Sequence, residues 1–307
     1  FQRSRPSPPR PRMNWLLEPF QYEFMQRALL ACVLVGFTNG FLGAFVVVRR
    51  LALMADALSH SLLPGLALAA IVVGLSPAGL LFGGLLAAAF VALGGHLISR
   101  SSRIKEETAI AALYIIAFAF GIAIIKYAGV KVSLDHFLFG NILGVGDSDL
   151  WTSYGITCAV LLPLVALQRS LLIAIFESSV AKALGVPVGL LLGMLILLIV
   201  LAMVSSLQAV GVLLSLGLLI LPAATIYLLS DSFDSMLWGG AALGTAGSIT
   251  GLLVSFWANI PSGPAIVLVL GLVFVGAYLF SPRYGIIPRS LKRRHLHEES
   301  LERWQQK

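Results

Sequence analysis

Residues 183–230 read ALGVPVGLLLGMLILLIVLAMVSSLQAVGVLLSLGLLILPAATIYLLS, with no aspartate, glutamate, lysine or arginine among them. A hydrophobic run of about 20 residues is long enough for a helix to cross the hydrocarbon core of a bilayer. A polar patch at Ser205, Ser206, Gln208 and Gly211 divides the stretch into two such runs. The sequence therefore predicts two membrane helices, joined by a short outside turn or by a break within one long helix.

The composition of the whole chain agrees with this stretch. The protein has 307 residues, of which 58% are hydrophobic and 11% are charged, whereas a soluble domain carries about 25% charged residues. The mean hydropathy is +0.94. These values exclude a soluble globular enzyme, a disordered tail and a nucleic-acid-binding domain. They predict an all-α fold, a polytopic bundle of transmembrane helices in a lipid bilayer.

Charges, prolines and glycines divide the chain into about nine apolar segments, with eight as the alternative count. The predicted segments are 28–48, 53–74, 77–99, 108–127, 150–168, 188–206, 210–229, 235–257 and 264–281. Glycines four residues apart, such as Gly36 and Gly40 or Gly240 and Gly244, let helices approach closely in lipid. We expect these pairs to pack within the bundle rather than to form a dimer interface.

The basic residues predict the orientation of the chain in the membrane. The net charge is +7, and the clusters at Arg49–Arg50, at 100–105 and at 292–294 flank apolar segments. Cytoplasmic loops carry an excess of lysine and arginine, so these three regions are predicted to lie inside the cell. Nine spans then require the N-terminus outside, although the arginines in residues 1–12 argue for the opposite side.

The termini differ in composition from the membrane domain. The sequence starts with Phe1, and we expect residues 1–12 to be an extension or a remnant, followed by an interfacial helix over 13–27. The transmembrane domain spans 28–284, and 285–307 form a charged cytoplasmic tail in which His295 and His297 are solvated. Cys32 and Cys158 lie in apolar segments, so we interpret them as packing residues.

Asp56 and His60 are the strongest functional signal, within RRLALMADALSHSLLPG at 49–65. Their i, i+4 spacing places them on one helix face. His60 lies ten residues after Arg50, about 15 Å into a core about 30 Å thick, where an aspartate is costly. A carboxylate and an imidazole suit Mn²⁺ or Zn²⁺, and two copies of the chain would supply four ligands. The alternative is that Asp56 and His60 form a structural hydrogen bond that stabilises helix packing.

Two further histidines have less specific surroundings. His136 follows Asp135 between the fourth and fifth segments, on the predicted outer side, where it either helps cations enter or is a solvated loop residue. His96 lies near Arg100 at a cytoplasmic helix end, where we expect it to cap the helix or to lie at the membrane interface. We include His136 among the candidate metal residues.

The connection between the fifth and sixth segments, QRSLLIAIFESSVAKALGVPVGLL at 168–191, is too charged to span and too apolar for a plain loop. It predicts a short amphipathic cytoplasmic helix that ends at Gly185 and Pro187. This helix lies on the membrane or docks a soluble partner. The sequence has no GxxxxGK[ST] phosphate loop, so we expect the chain not to bind ATP itself.

Four stretches together resemble the membrane permease subunits of ABC importers for manganese, zinc and iron. They are LALMADALSHSLLPGLALA at 51–69, LDHFLFGNILGV at 134–145, AKALGVPV at 181–188 and SSLQAVGVLLSLGLLILPAATIYLL at 205–229. The resemblance extends from about Met13 to Tyr284. More distantly, the chain is similar to the vitamin B12 and siderophore permeases, whose fold is related.

The resemblance implies a type II importer in the bacterial plasma membrane. Two permease copies form the pore, a pair of cytoplasmic ABC ATPases binds ATP, and an extracellular or periplasmic metal-binding protein delivers the ion. It implies that Asp56 and His60 line the metal pathway. It also implies a coupling helix over 174–188 that contacts the ATPase, with the residues Phe176, Glu177, Ala181, Lys182, Leu184, Gly185 and Pro187.

The predicted function is therefore ATP-driven import of a divalent metal, manganese or zinc with a lean to manganese, and iron as a further choice. No resident cofactor and no nucleic-acid partner are expected. One alternative is a secondary transporter or cation channel that uses Asp56 and His60 as an ion or proton relay. A membrane enzyme lacks a catalytic set, and a chelate cargo would not need the Asp–His pair.

Overall fold

The computed structural model describes residues 18–74, 76–128, 142–282 and 284–288, and its regular elements there are helices. The long helices are α1 (Glu23–Val48), α2 (Ala52–Val72), α3 (Pro77–Ser101), α4 (Glu106–Ala128), α5 (Asp147–Ala166), α8 (Val188–Val210), α9 (Val212–Leu229), α10 (Phe233–Ala258) and α11 (Ser262–Phe280). Two short helices, α6 (Gln168–Phe176) and α7 (Ser178–Ala183), connect α5 to α8. Short 3₁₀ turns at Pro19–Gln21 and Ile142–Gly144 precede α1 and α5.

Within the described residues, nine apolar helices match the nine predicted segments. In the described part of the chain, eight helices are long and apolar enough to cross a membrane, and the apolar part of α9, Leu214–Leu229, is shorter. The predicted all-α membrane bundle is therefore confirmed. The first segment differs from its prediction, because Glu23–Arg27 form the first turn of α1 rather than part of a separate interfacial helix. Residues 13–17 lie outside the described residues.

Gly211 separates α8 from α9. Its φ of 84° and ψ of 166° belong to a backbone region that is essentially restricted to glycine. The Gly211 N–H still donates to the Leu207 carbonyl, and the Ser215 N–H donates to the Gly211 carbonyl. The polar patch in the sequence thus marks a one-residue bend between two helices rather than an extended turn.

Contacts between helix ends divide the bundle into two sides. Arg27 of α1 forms an ion pair with Asp147 of α5 at one end, 3.0 Å apart. At the other end, the Gln168 side chain donates to Asp234, and the Ser281 hydroxyl donates to the Leu228 carbonyl. The described basic residues at this second end are Arg49, Arg50, Arg100, Arg103, Lys105, Arg169 and Lys182. Among described residues, the first end has Arg27 and Lys126, so the second end is cytoplasmic by the positive-inside rule.

Helix α1 lies at the centre of the bundle. In the most apolar 18-residue stretch of each helix, 72% of α1 is buried, compared with 22% of α3 and 17% of α4 and of α5. Helices α3, α4 and α5 are therefore left to face lipid or another chain. A Cβ atom placed on Gly36 would meet the carbonyl oxygen of Gly244 on α10, and one placed on Gly40 would meet the carbonyl oxygen of Gly240. These glycine pairs therefore pack α1 against α10 within one chain, as predicted.

The prediction of a single coupling helix over 174–188 is wrong in one respect, because the structure divides this region into two helices. Helix α6 ends at Phe176, Glu177 has a non-helical backbone with φ −135° and ψ 67°, and α7 begins at Ser178. Ser178 and Ser179 are weaker helix formers than the leucines and alanines on either side, which favours the break here. Helix α7 ends in a Schellman motif, in which Gly185 has a φ of 76° and the Val186 N–H donates to the Ala181 carbonyl.

Candidate metal-translocation site

Asp56 and His60 lie in the first half of α2, which begins after the tight turn at Arg49–Leu51. From the helix start at Ala52, Asp56 is about 6 Å and His60 about 12 Å along the axis, which places both inside the bilayer core. The His60 Nε2 and Asp56 Oδ1 atoms are 3.8 Å apart. This separation is too long for a hydrogen bond, so Asp56 and His60 do not form the structural hydrogen bond that the sequence left open as an alternative.

Leu53, Asp56 and His60 form an open strip along α2, here called the α2 strip. The exposed fractions of their side chains are large for membrane depth, at 47% for Asp56 and 33% for His60, and Leu53 is 78% exposed. The rest of this helix turn, including Ala55 and Leu58, is buried. A carboxylate at this depth is costly against lipid, so the α2 strip must face water or a second protein chain.

Two aromatic rings of α4 pack on the other side of the His60 imidazole. The Tyr114 ring is stacked on it at 6.1 Å between centroids with an interplanar angle of 27°, and the Phe118 ring meets it edge to face at 5.7 Å and 79°. Sequence reasoning missed both residues. Their i, i+4 spacing on an apolar helix is visible in the sequence, but it does not say which helix they face.

A cavity of about 310 Å³ lies at the cytoplasmic end of α2, below the α2 strip. Arg49, Met54, Lys105 and Glu107 line it, together with leucines and an isoleucine of α8. Next to it, the His96 Nδ1 atom lies 3.0 Å from a carboxylate oxygen of Glu106, which also lines the cavity. His96 thus links the end of α3 to the start of α4, in agreement with its predicted role at a cytoplasmic helix end.

One chain brings together few metal-binding side chains. No group of three or more His, Cys, Asp or Glu residues that could hold a metal ion occurs among the described residues. Cys32 and Cys158 are not joined in a disulfide, and Cys32 is buried in the core. His136 lies outside the described residues. Asp56 and His60 of one chain are therefore too few donors to hold a transition metal ion by themselves.

The segment α6–α7 presents an apolar surface at the cytoplasmic side. Phe176, Val180 and Leu184 are 60%, 49% and 66% exposed, and Glu177 and Lys182 are exposed beside them. Ala181 is fully buried and anchors α7 to the core formed by α1, α5 and α8. Pro187 directly precedes α8, so this surface is directly connected to a membrane helix.

Known proteins match this chain along most of its length. The model of the ABC 3 transport family matches residues 21–281. The chain belongs to the ABC 3 transport family. The family's manganese transport system membrane protein MntC of Halalkalibacterium halodurans is 39% identical over 269 residues, which cover 87% of this chain and 91% of that protein. The manganese import system permease protein ScaB of Streptococcus gordonii is 35% identical, with 88% and 96% covered.

Further similar proteins extend the comparison. A Haemophilus influenzae membrane protein described for iron transport is 35% identical over 87% of this chain and 97% of its own length. The solved structure of PsaBC from Streptococcus pneumoniae in complex with Fab matches with a TM-score of 0.79 and 34% identity, over 91% of this chain and 98% of the matched chain. An inward-facing ABC transporter described as metal-chelate type has a TM-score of 0.65 at 18% identity over 89% of this chain and 92% of its own, which shows a shared fold.

Membership of this family confirms the predicted resemblance to permease subunits of metal ABC importers. As an ABC 3 family member, the chain is a multi-pass subunit of a bacterial plasma-membrane transporter, and it is not an enzyme. The alternative of a secondary transporter or cation channel is not supported, because the chain belongs to the ABC 3 transport family.

Proposed function

We propose that two copies of this chain form the translocation pathway of an ATP-driven manganese importer. The exposure of Asp56 and His60 on the α2 strip is the observation that carries this proposal. An ionisable pair at membrane depth needs a polar partner, and the described part of one chain groups no third His, Cys, Asp or Glu with these two donors. Two copies related by a two-fold axis would place four ligands around one ion, which is a full set for a transition metal.

The cargo is proposed from the donor types and from the relatives. Carboxylate oxygen and imidazole nitrogen suit both manganese and zinc, and general affinity order favours zinc. Manganese is named for the relatives MntC and ScaB, whereas iron is named for the Haemophilus influenzae protein. The proposal is therefore manganese, with zinc and iron as the competing cargoes in any binding measurement.

ATP hydrolysis is assigned to a separate pair of cytoplasmic ATPase subunits, because the sequence lacks a phosphate-binding loop. We assign their docking to the α6–α7 surface around Phe176, Val180 and Leu184. Its exposed apolar side chains, flanked by Glu177 and Lys182, fit an interface with an apolar centre and a polar rim. A metal-binding protein on the outer side would deliver the ion.

A packed route connects this docking surface to the α2 strip. Helix α7 leads directly into α8 through Gly185 and Pro187. Val200 and Val204 of α8 lie in the same buried cluster as Leu58 and Leu62 of α2, close to Asp56 and His60. Movement of α7 by the ATPases would therefore be transmitted to the helix that carries the ligands. The site must bind the ion well enough to strip its water and weakly enough to release it.

Manganese uptake by cells that depend on this transporter tests the proposal. We expect Asp56→Ala and His60→Ala each to abolish uptake while the chain remains in the membrane with its ATPase. Asp234→Ala and His96→Ala are matched controls, since these residues lie at cytoplasmic helix ends. Undiminished uptake by both α2 variants at normal expression would show that the site assignment is wrong.

A further inference from the structure

His60 lies between α2 and α4 in a setting that restricts its side chain. Tyr114 and Phe118 are one turn apart on α4, and both rings contact the imidazole, one by its face and the other by an edge. We call these two residues the aromatic clamp. The interplanar angles of 27° and 79° are the offset-stacked and edge-to-face arrangements that aromatic rings prefer.

The backbones of α2 and α4 are held together one turn beyond the aromatic clamp. A Cβ atom on Gly121 of α4 would lie 2.8 Å from the backbone nitrogen of Pro64 on α2, which is closer than real side-chain contacts. Pro64 follows His60 by one helical turn, and Gly121 follows Phe118 by about one turn. The two helices therefore cannot separate at this level without losing this contact, and the clamp rings remain against the imidazole.

The clamp leaves the imidazole one open direction. With rings on its α4 side, the His60 Nε2 atom faces Asp56 at 3.8 Å, and neither group is tied up in a hydrogen bond with the other. Both groups thus stay available to an ion, and the two rings limit the rotation of the imidazole. Fixed ligand positions matter for the choice of metal, because a site that adapts freely follows the general affinity order and prefers zinc to manganese.

We propose that Tyr114 and Phe118 are positioning residues that hold the His60 imidazole in its metal-binding orientation and so oppose the preference for zinc. This inference rests on the proposed manganese pathway at Asp56 and His60. Neither clamp residue touches the ion. Removing either ring lets the imidazole rotate toward α4, which weakens manganese binding and allows the ligands to rearrange into the tetrahedral geometry of zinc.

The experiment measures metal binding to the purified complex of this chain with its ATPase in lipid nanodiscs. Manganese is titrated by the electron paramagnetic resonance signal of free Mn²⁺, and zinc is then titrated in competition. For Phe118→Leu and Tyr114→Leu we expect manganese affinity to fall about 2- to 10-fold, in line with the strength of one aromatic contact. We expect the ratio of zinc affinity to manganese affinity to rise by a similar factor.

Two variants separate positioning from general structural damage. Tyr114→Phe keeps the ring and should bind both metals like the wild type. Phe120→Leu removes a ring two positions away on α4 that is 58% exposed, and it should also leave both affinities unchanged. Equal affinities in Phe118→Leu, Tyr114→Leu and Phe120→Leu would overturn the proposal, and so would a parallel fall for manganese and zinc.

His60→Ala distinguishes failure of the clamp from failure of the site. If His60→Ala loses manganese binding and the two leucine variants bind like the wild type, the clamp is wrong and the site stands. If His60→Ala binds manganese as tightly as the wild type, the site assignment is wrong and the clamp proposal falls with it.

Discussion

Gly40 of α1 and Gly240 of α10 lie so close together that a Cβ atom on either glycine would collide with the carbonyl oxygen of the other. One turn away, Gly36 and Gly244 repeat the same relationship. In lipid, helices associate through close van der Waals packing, because the lipid tails are as apolar as the side chains. These two glycine pairs therefore set the distance between the central helix and α10.

The first prediction concerns this glycine contact. We expect Gly40→Ala to lower stability by about 1–3 kcal/mol, because the added methyl group overpacks the α1–α10 contact. Gly271→Ala in α11 is the matched control, since a Cβ there meets nothing within 4 Å. Alanine is otherwise the better helix former, so the control should be neutral or stabilising. Thermal unfolding in detergent measures both, and a melting temperature of Gly40→Ala at or above the control would contradict the packing argument.

The second prediction concerns a buried polar tie between α1 and α8. The Asn39 amide donates to the Ser206 hydroxyl at 2.8 Å, and this hydroxyl donates to the Ala202 carbonyl. Hydrogen bonds between membrane helices average about 0.6 kcal/mol in double-mutant cycles. We expect a coupling free energy of that order when the free energy of unfolding is compared among the Asn39→Leu variant, the Ser206→Ala variant and the double variant. Fully additive effects would mean that the two side chains do not stabilise each other.

The third prediction concerns the bend at Gly211. Its backbone conformation is one that alanine adopts only with strain, so Gly211→Ala should cost about 1–3 kcal/mol. Gly193→Ala, within α8 and with open space around its Cβ position, is the control. The yield of monodisperse protein and its melting temperature report the difference. Equal behaviour of the two variants would show that the bend does not require glycine.

The fourth prediction tests the proposed docking surface. Leu184 is 66% exposed on the cytoplasmic side, so Leu184→Asp should leave the fold of this chain intact. We expect it to prevent copurification of the co-expressed ATPase, because a carboxylate would be buried in an apolar interface. Ser179→Asp adds the same charge at an exposed position of α7 and should retain more of the ATPase. Retention of the ATPase at wild-type levels by Leu184→Asp would place the docking surface elsewhere.

Much of the fold could be predicted from the sequence, since membrane helices depend on local composition. The nine apolar segments and the cytoplasmic position of Arg49 and Arg100 follow from hydropathy and charge alone. The sequence predicts one coupling helix, because the stretch is too charged to span and too apolar for a plain loop, whereas the backbone breaks at Glu177. The start of α1 was placed at residue 28 rather than at Glu23, because charged residues in the first turn resemble an interfacial segment.

The candidate site could be predicted in part. Asp56 and His60 stand out because ionisable residues are rare at membrane depth, and their spacing alone places them on one helix face. Their separation of 3.8 Å without a hydrogen bond, and their exposure on the α2 strip, depend on how α2 packs and could not be read from spacing. His136 stays a prediction, since it lies outside the described residues.

The sequence by itself determined which segments form apolar helices, which basic clusters face the cytoplasm and which ionisable pair lies in an apolar segment, and it left the count of spans at eight or nine. The tertiary structure decided which helix lies at the centre, that Gly40 meets Gly240, and that Tyr114 and Phe118 enclose His60. The physical reason is that insertion into lipid depends on the hydrophobicity of each segment taken alone. Lateral contacts between equally apolar helices depend instead on the shapes of their surfaces, which hydropathy does not encode.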